Sequence, residues 1–167
     1  MATYTLISSV TVGSGGAANI EFTSIPATYT DLVLKISSRG TSANASAGYY
    51  YDVTFNNTSA NRTGRYLSKL NANPDSGIFT SWGLSTPSDF TASTFSSGEL
   101  YIPNYTSANY KSSSLDSANE NNSSTQRMTM SAGLWSDTAA ITSIKLVQGG
   151  GNFAQYSTAY LYGISNA

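Results

Sequence analysis

The chain has 167 residues, enough for one domain to enclose a hydrophobic core without metal or disulfide support. It contains neither cysteine nor histidine, which excludes disulfides, thiolate nucleophiles and the commonest general base and metal ligand. With 8 basic and 9 acidic residues it offers no cationic surface to phosphates, and no segment has the roughly 18 apolar residues of a membrane helix. We therefore expect a single domain over residues 1–167 that is not an enzyme and binds no cofactor, nucleic acid or membrane.

The predicted elements are β-strands from the first residues onward. The opening TYTLISSVTV is rich in β-branched and aromatic residues, and three later runs alternate apolar with polar residues. Such alternation is typical of a strand with one face in the core and one in water. The residues expected to share the apolar faces of these three runs are Ala18, Ile20, Phe22; Leu32, Leu34, Ile36; and Tyr49, Tyr51, Val53, Phe55.

The middle of the chain gives weaker signals. The run GRYLSKLNA, residues 64–72, predicts a short helix or an irregular crossover that ends before Pro74. Long polar stretches at 37–48, 85–98 and 114–126 predict loops at the ends of a sandwich.

Four further runs predict strands in the second half of the chain: SGELYIPNY, RMTMSAGLW, ITSIKLVQ and STAYLYGIS. Many short strands separated by Gly, Asn, Ser and Pro favour an all-β fold. We expect a single-domain antiparallel β-sandwich, jelly-roll-like, with about eight or more strands.

Catalytic and metal-binding constellations are weak. Asp31, Asp52, Glu21 and Glu99 lie at strand positions expected to face solvent, and spacing alone brings no two of them together. The run DSANENNSS offers oxygen donors for calcium but lacks the spacing and glycine of an EF-hand loop, so a polar surface loop is favoured.

Tyrosine gives the main binding signal. Some of the clustered tyrosines must point outward, because successive strand residues face opposite sides. They could form subunit contacts or stack on sugars, or they could simply fill a small core. In the last strand both faces are apolar, Tyr160 and Tyr162 on one and Leu161 on the other, which predicts cover from a second sheet and from a loop or neighbouring subunit.

Two segments resemble virion structural proteins of tailed bacteriophages, including cyanophages and related marine phages. They are ANIEFTSIPATYTDLVLKISSRG, residues 18–40, and GGGNFAQYSTAYLYGIS, residues 149–165. The resemblance implies a β-sandwich that assembles on the virion as a homotrimer, with the major capsid protein or tail proteins as partners.

The resemblance leads us to expect a capsid decoration, or cement, protein that binds and stabilises the outer shell. The alternative is a small tail-fibre or receptor-binding protein that attaches to host surface glycans. The opening residues have no basic leader or apolar signal core, so synthesis in the host cytoplasm and a place on the virion surface are expected. The candidate subunit or shell contacts are Tyr49, Tyr50, Tyr101, Tyr105, Tyr160, Leu161 and Tyr162.

Overall fold

A computed structural model describes residues 1–43, 50–70, 73–78, 83–122 and 126–165. This part of the chain forms twelve β-strands and no helix. The strands are β1 Thr3–Thr11, β2 Asn19–Phe22, β3 Asp31–Ser38, β4 Tyr50–Phe55, β5 Arg62–Leu70, β6 Asn73–Ile78, β7 Gly83–Leu84, β8 Ser96–Ile102, β9 Lys111–Glu120, β10 Gln126–Trp135, β11 Ile144–Gln148 and β12 Thr158–Ser165. The described residues accordingly include no long apolar helix of the kind that crosses a membrane.

The strands form two sheets. The large sheet has eight strands in the order β1-β12-β3-β8-β9-β10-β5-β6, and the small sheet has four in the order β2-β11-β4-β7. Every pair of neighbouring strands is antiparallel. The predicted all-β antiparallel sandwich of at least eight strands is confirmed.

The core lies between the two sheets and comes from the alternating residues of both. Leu34 and Leu161 are opposite each other in the large sheet, and Val53 and Leu146 are opposite each other in the small one; all four are fully buried. At one end the ring of Trp135 packs 5.7 Å from that of Phe55. Alternation therefore predicted the inward residues of β2, β3 and β4 correctly wherever the structure describes them. Ala18 is the exception, since it precedes β2 and is exposed.

The predicted helix at 64–72 is wrong, because residues 62–70 form strand β5. β5 pairs with β6 on one side and with β10 on the other. Its inward positions include Gly64 and Ser68, which are buried, whereas Leu67 points outward and is exposed. The strand alternates, but its apolar side chain lies on the solvent face, so a hydrophobic pattern could not reveal it.

The predicted loop at 114–126 is also wrong over most of its length. Residues 111–120 form β9, which lies between β8 and β10. Its buried positions carry mostly polar side chains: Lys111, Ser113, Leu115, Ser117 and Asn119. The polar composition predicted a loop because hydroxyl and amide groups occupy the positions where a core strand ordinarily has aliphatic ones.

The two segments that carry the family resemblance are neighbours in the fold. The first contains β3 and the second contains β12, and these strands pair from Thr158 opposite Ser37 to Ile164 opposite Asp31. β12 lies between β1 and β3 and is thus an interior strand of the large sheet.

Candidate interaction surface

The candidate site is the outer face of the large sheet, meaning the side that points away from the small sheet. Because opposite residues in paired antiparallel strands point to the same side, the register defines rows of side chains across this face. One row crosses all eight strands: Ser9, Tyr160, Lys35, Glu99, Asp116, Met130, Leu67 and Ser76. A second row, one step along, is Leu6, Tyr162, Val33, Tyr101, Ser114, Ala132, Arg65 and Ile78.

In β5 and β10 large apolar side chains lie on the outer face, while serines occupy part of the inner face of β5, β9 and β10. The inward residues Ser68, Ser117 and Ser131 are buried. The outward residues Leu67, Met128 and Met130, here called the apolar patch, are 58%, 61% and 62% exposed. Small polar groups thus occupy part of the inner face here, beside the core residues Leu115 and Trp135, while three large apolar side chains lie outside.

The buried polar face beneath the patch is partly satisfied by hydrogen bonds to the β7 region. Ser117 Oγ accepts a hydrogen bond from the backbone N–H of Leu84 at 3.2 Å. Asn119 Nδ2 donates to the carbonyl of Ser85, also at 3.2 Å. These bonds account for the serine and asparagine on the inside, whereas nothing in the described residues covers the apolar patch outside.

The outer face is concave where the patch meets the middle of the sheet. The concavity has a volume of about 900 Å³. Its walls include the apolar patch, Pro74 and Tyr160. A hollow of this size with mainly apolar walls is suited to an apolar protuberance of a partner.

Charges cross the floor of the concavity and nearly balance. Lys35 Nζ lies 2.8 Å from Glu99 Oε2, and both side chains are about half exposed. The hydrogen bond to Glu99, followed by its charge, raises the pKa of Lys35. Asp116 is the next residue in the row and forms no salt bridge with any described residue. Lys69 also lines the concavity, so two cations and two carboxylates lie beside its apolar wall.

Three of the predicted contact residues lie on this outer face: Tyr101, Tyr160 and Tyr162. Tyr160 and Tyr162 point outward from β12, and Tyr160 is 38% exposed. Tyr101 is anchored, because its hydroxyl donates to Asp31 Oδ2 at 2.9 Å. Burial and this hydrogen bond raise the pKa of Tyr101.

Two other predicted contact residues belong to the core. Tyr105 and Leu161 are fully buried, and the Tyr105 hydroxyl donates to the carbonyl of Pro26. Their side chains cannot reach a second subunit in this fold, so their assignment as contact residues is corrected. Leu161 lies inward because Tyr160 and Tyr162, its neighbours along the strand, lie outward.

The remaining two predictions lie elsewhere. Tyr50 is half-buried at the start of β4, with the Arg127 guanidinium 5.0 Å from its ring centre. This cation–π contact joins the small sheet to β10 of the large one. Tyr49 lies outside the described residues.

Sequence reasoning did not select Leu67, Met128 or Met130. Alternate methionines in a predicted strand ordinarily indicate a core face. The available signal was the small residues on the opposite face, Ser131 and Gly133 in β10 and Ser113 and Ser117 in β9, because side chains this small contribute little apolar surface to a core.

Two of the carboxylates singled out in the sequence are held in salt bridges. Asp52 is held by Arg62 in a salt bridge of 2.8 Å, and Glu21 by Lys145 at 3.3 Å. No three acidic side chains among the described residues come together to hold a metal ion. Of the described residues of DSANENNSS, Asp116 and Glu120 belong to β9 and point outward from it.

Comparison with known proteins adds no assignment: no protein-family model, curated protein or solved structure matches this chain.

Proposed function

We propose that this protein is a structural component of a tailed-phage virion, a capsid decoration protein that binds the outer shell as a homotrimer and stabilises it. The proposal combines the resemblance of residues 18–40 and 149–165 with the outer face of the large sheet. It places the protein on the virion surface after synthesis in the host cytoplasm and assigns it no enzymatic activity.

The exposed apolar patch is the observation that carries the proposal. Leu67, Met128 and Met130 are more than half exposed, although buried serines occupy the inner side of the same strands. Contiguous exposed apolar side chains on a folded domain mark an interaction surface. Methionine suits such a surface because its flexible side chain adapts to the partner. The major capsid protein is the proposed partner, and tail proteins are the alternative.

The small number of charges supports attachment to a shell. The chain has only 17 ionised side chains, and its 29 serines and 20 threonines supply neutral hydrogen-bonding groups in their place. Contacts made by neutral groups are little weakened by salt, because screening acts on charges. A decoration protein of this composition would stay bound over a wide range of ionic strength.

Particle binding by a patch variant tests the proposal. Met128→Ser with Met130→Ser removes most of the patch without touching the core and should abolish binding to particles that lack the protein. Val147→Ser is the matched control, because Val147 is a 37% exposed aliphatic residue on the small sheet. Wild-type binding by the double variant would contradict the proposed surface.

Copy number and particle stability test the role itself. Hundreds of copies per particle are expected for a shell protein and a handful for a tail component. Particles without the protein should break at a lower temperature and under a milder osmotic shock. Equal resistance with and without the protein would refute the stabilising role.

Glycan binding by a tail-fibre protein is the second candidate, and Tyr160 is the observation that favours it. Its partly exposed ring stands at the concavity beside Lys35 and Glu99, an aromatic surface with polar neighbours of the kind that sugars use. Binding of the free protein to host cells or purified lipopolysaccharide, abolished by Tyr160→Ala, would support this function over shell binding.

A further inference from the structure

The two edges of the large sheet differ in their protection against another strand. The β6 edge has the sequence NPDSGI, with a proline, a charge and a glycine that disfavour strand addition. The β1 edge has the sequence TYTLISSVT, nine residues without charge, proline or glycine. No described strand pairs with its free side. β1 therefore offers unpaired backbone N–H and C=O groups to a further strand.

A β-bulge in β1 determines which strand can pair with it in register. Leu6 is opposite Tyr162 and Ser8 is opposite Leu161, so Ile7 is an extra residue in β1. The bulge shifts the alternation of side chains by one residue along the rest of the strand.

As a result, the inward and outward orientations of the β1 side chains are symmetric about the point between Ile7 and Ser8. Partners in β12 define the faces: Tyr4, Leu6, Ser9 and Thr11 are outward, and Thr5, Ser8 and Val10 are inward. Ile7 is inward as well, because it packs on the core together with Val10. From this midpoint the side chains follow the same order in both directions along the strand: inward, outward, inward, outward.

We propose that β1 pairs with β1 of a second copy of this chain, antiparallel, around a two-fold axis between Ile7 and Ser8. Leu6 then lies opposite Ser9 of the second copy, and Thr5 lies opposite its Val10. Each inward residue faces an inward one, and each outward residue faces an outward one. Moving the register by one residue places inward residues against outward ones, so the bulge selects this alignment.

The chemistry of the edge suits a second copy. An uncharged strand meets itself without repulsion, and an antiparallel pair of identical strands is the self-complementary contact that two-fold symmetry requires. Tyr4 and Leu6, now 57% and 51% exposed, come to lie in the middle of a continuous sheet of both copies. The contact goes beyond the proposed function, uses a different surface from the apolar patch, and would link one homotrimer to another.

Engineered cysteines test the register directly, because the chain has no cysteine of its own. Leu6→Cys and Ser9→Cys proteins are oxidised separately and as an equal mixture. The mixture should form a disulfide-linked dimer on the order of tenfold faster than either protein alone, because pairing raises the local thiol concentration. Ser76→Cys on the β6 edge, mixed with Ser9→Cys, is the control for random collision.

A charge at the axis provides the second test. A pair of strands this short is a small interface, below the ~1,200 Å² of standard complexes, so the pairing should depend on protein concentration. Ser8→Lys should halve the native mass measured by light scattering at high concentration, and Ser76→Lys should leave it unchanged. Crosslinking no faster in the mixture than in the separate proteins, or an unchanged mass in Ser8→Lys, would overturn the proposal. Neither result depends on particle binding.

Discussion

The ring of Tyr29 lies directly over the backbone of Gly163, so a Cβ added to Gly163 would overlap the ring. Tyr29 belongs to the segment that leads into β3, and Gly163 belongs to β12, the neighbour of β3 in the sheet. The two segments that resemble phage virion proteins are therefore joined by a close packing contact. Position 163 in YLYGI must be a glycine, because the ring of Tyr29 in ATYTDL occupies the space that a side chain would need.

Gly163→Ala should destabilise the protein by about 1–3 kcal/mol, because the added methyl group forces the Tyr29 ring out of its place. Urea unfolding followed by tryptophan fluorescence measures the change. Gly13→Ala is the matched control, since a Cβ there meets nothing within 4 Å. Equal stability of the two variants would show that the ring moves without cost.

Tyr51→Phe should stabilise the protein by about 1 kcal/mol. The Tyr51 hydroxyl is buried and forms no hydrogen bond to any described residue, so its removal relieves an unsatisfied polar group. Tyr105→Phe is the opposite case, because it removes a hydroxyl that donates to the carbonyl of Pro26. This substitution should destabilise the protein by a similar amount. If the two variants change the free energy of unfolding in the same direction, this account of Tyr51 is wrong.

Stability should fall above pH 10, and Tyr51 should contribute to the fall. Burial raises the pKa of Tyr51 above its ordinary value of 10.0. The unfolded chain therefore loses this proton first, and rising pH favours unfolding by the linkage between proton binding and stability. Below pH 10 both states hold the proton and the effect is absent. Unfolding curves at pH 8–11 should show a shallower alkaline loss in Tyr51→Phe than in the wild type.

Arg39→Lys should loosen the loop between β7 and β8. The Arg39 guanidinium donates to four backbone carbonyls of this loop, those of Ser88, Phe90, Thr91 and Thr94, at 2.9–3.0 Å. A lysine ammonium is compact and cannot reach all four. We expect faster amide hydrogen exchange over residues 88–94 and a loss of about 1–3 kcal/mol in stability.

Arg65→Lys is the control for this loop, because exposed Arg65 donates, among the described residues, only to the carbonyl of its neighbour Gly64. Exchange in the loop should be unchanged in that variant. Equal protection in Arg39→Lys and Arg65→Lys would mean that the loop is held by other contacts.

Tyr156→Gly should stabilise the protein by about 1 kcal/mol. Tyr156 has a φ of 71° and is 68% exposed, so a bulky side chain occupies a left-handed backbone conformation with little packing in return. Glycine adopts this conformation without strain. Asn104→Gly, at a φ of 49°, should gain less, because asparagine tolerates the same region. Thermal unfolding that ranks the two variants in reverse would contradict this reasoning.

Sequence pattern predicted the fold where each strand has an apolar inner face. Ile20, Leu34 and Val53 alternate with polar residues and are buried as expected. It failed in β5 and β9, where Ser68 and Ser117 are the buried residues. Hydrophobic periodicity identifies a strand by its apolar face, which is assumed to be the buried one. It therefore cannot recognise a strand whose buried face is polar and is covered by a neighbouring loop and strand.

The candidate surface was predicted only in part, for the same reason. Tyr160 and Tyr162 were selected because a terminal strand with two apolar faces requires cover on both. Met128 and Met130 were placed in a predicted strand without a face, and only the tertiary register places them on the outer face beside Leu67. Whether an alternating residue faces inward depends on which side the second sheet packs, and a single strand does not contain that information.

The exposure of the apolar patch also makes it a chemical weak point. The chain has three methionines, Met1, Met128 and Met130, and all three are exposed, so no methionine lies in the core. An oxidant such as peroxide would convert the two patch thioethers to sulfoxides, which are polar. The protein would then keep its fold while its outer face became hydrophilic. Oxidative ageing of a purified stock would appear as a loss of adhesion without any change in the unfolding curve.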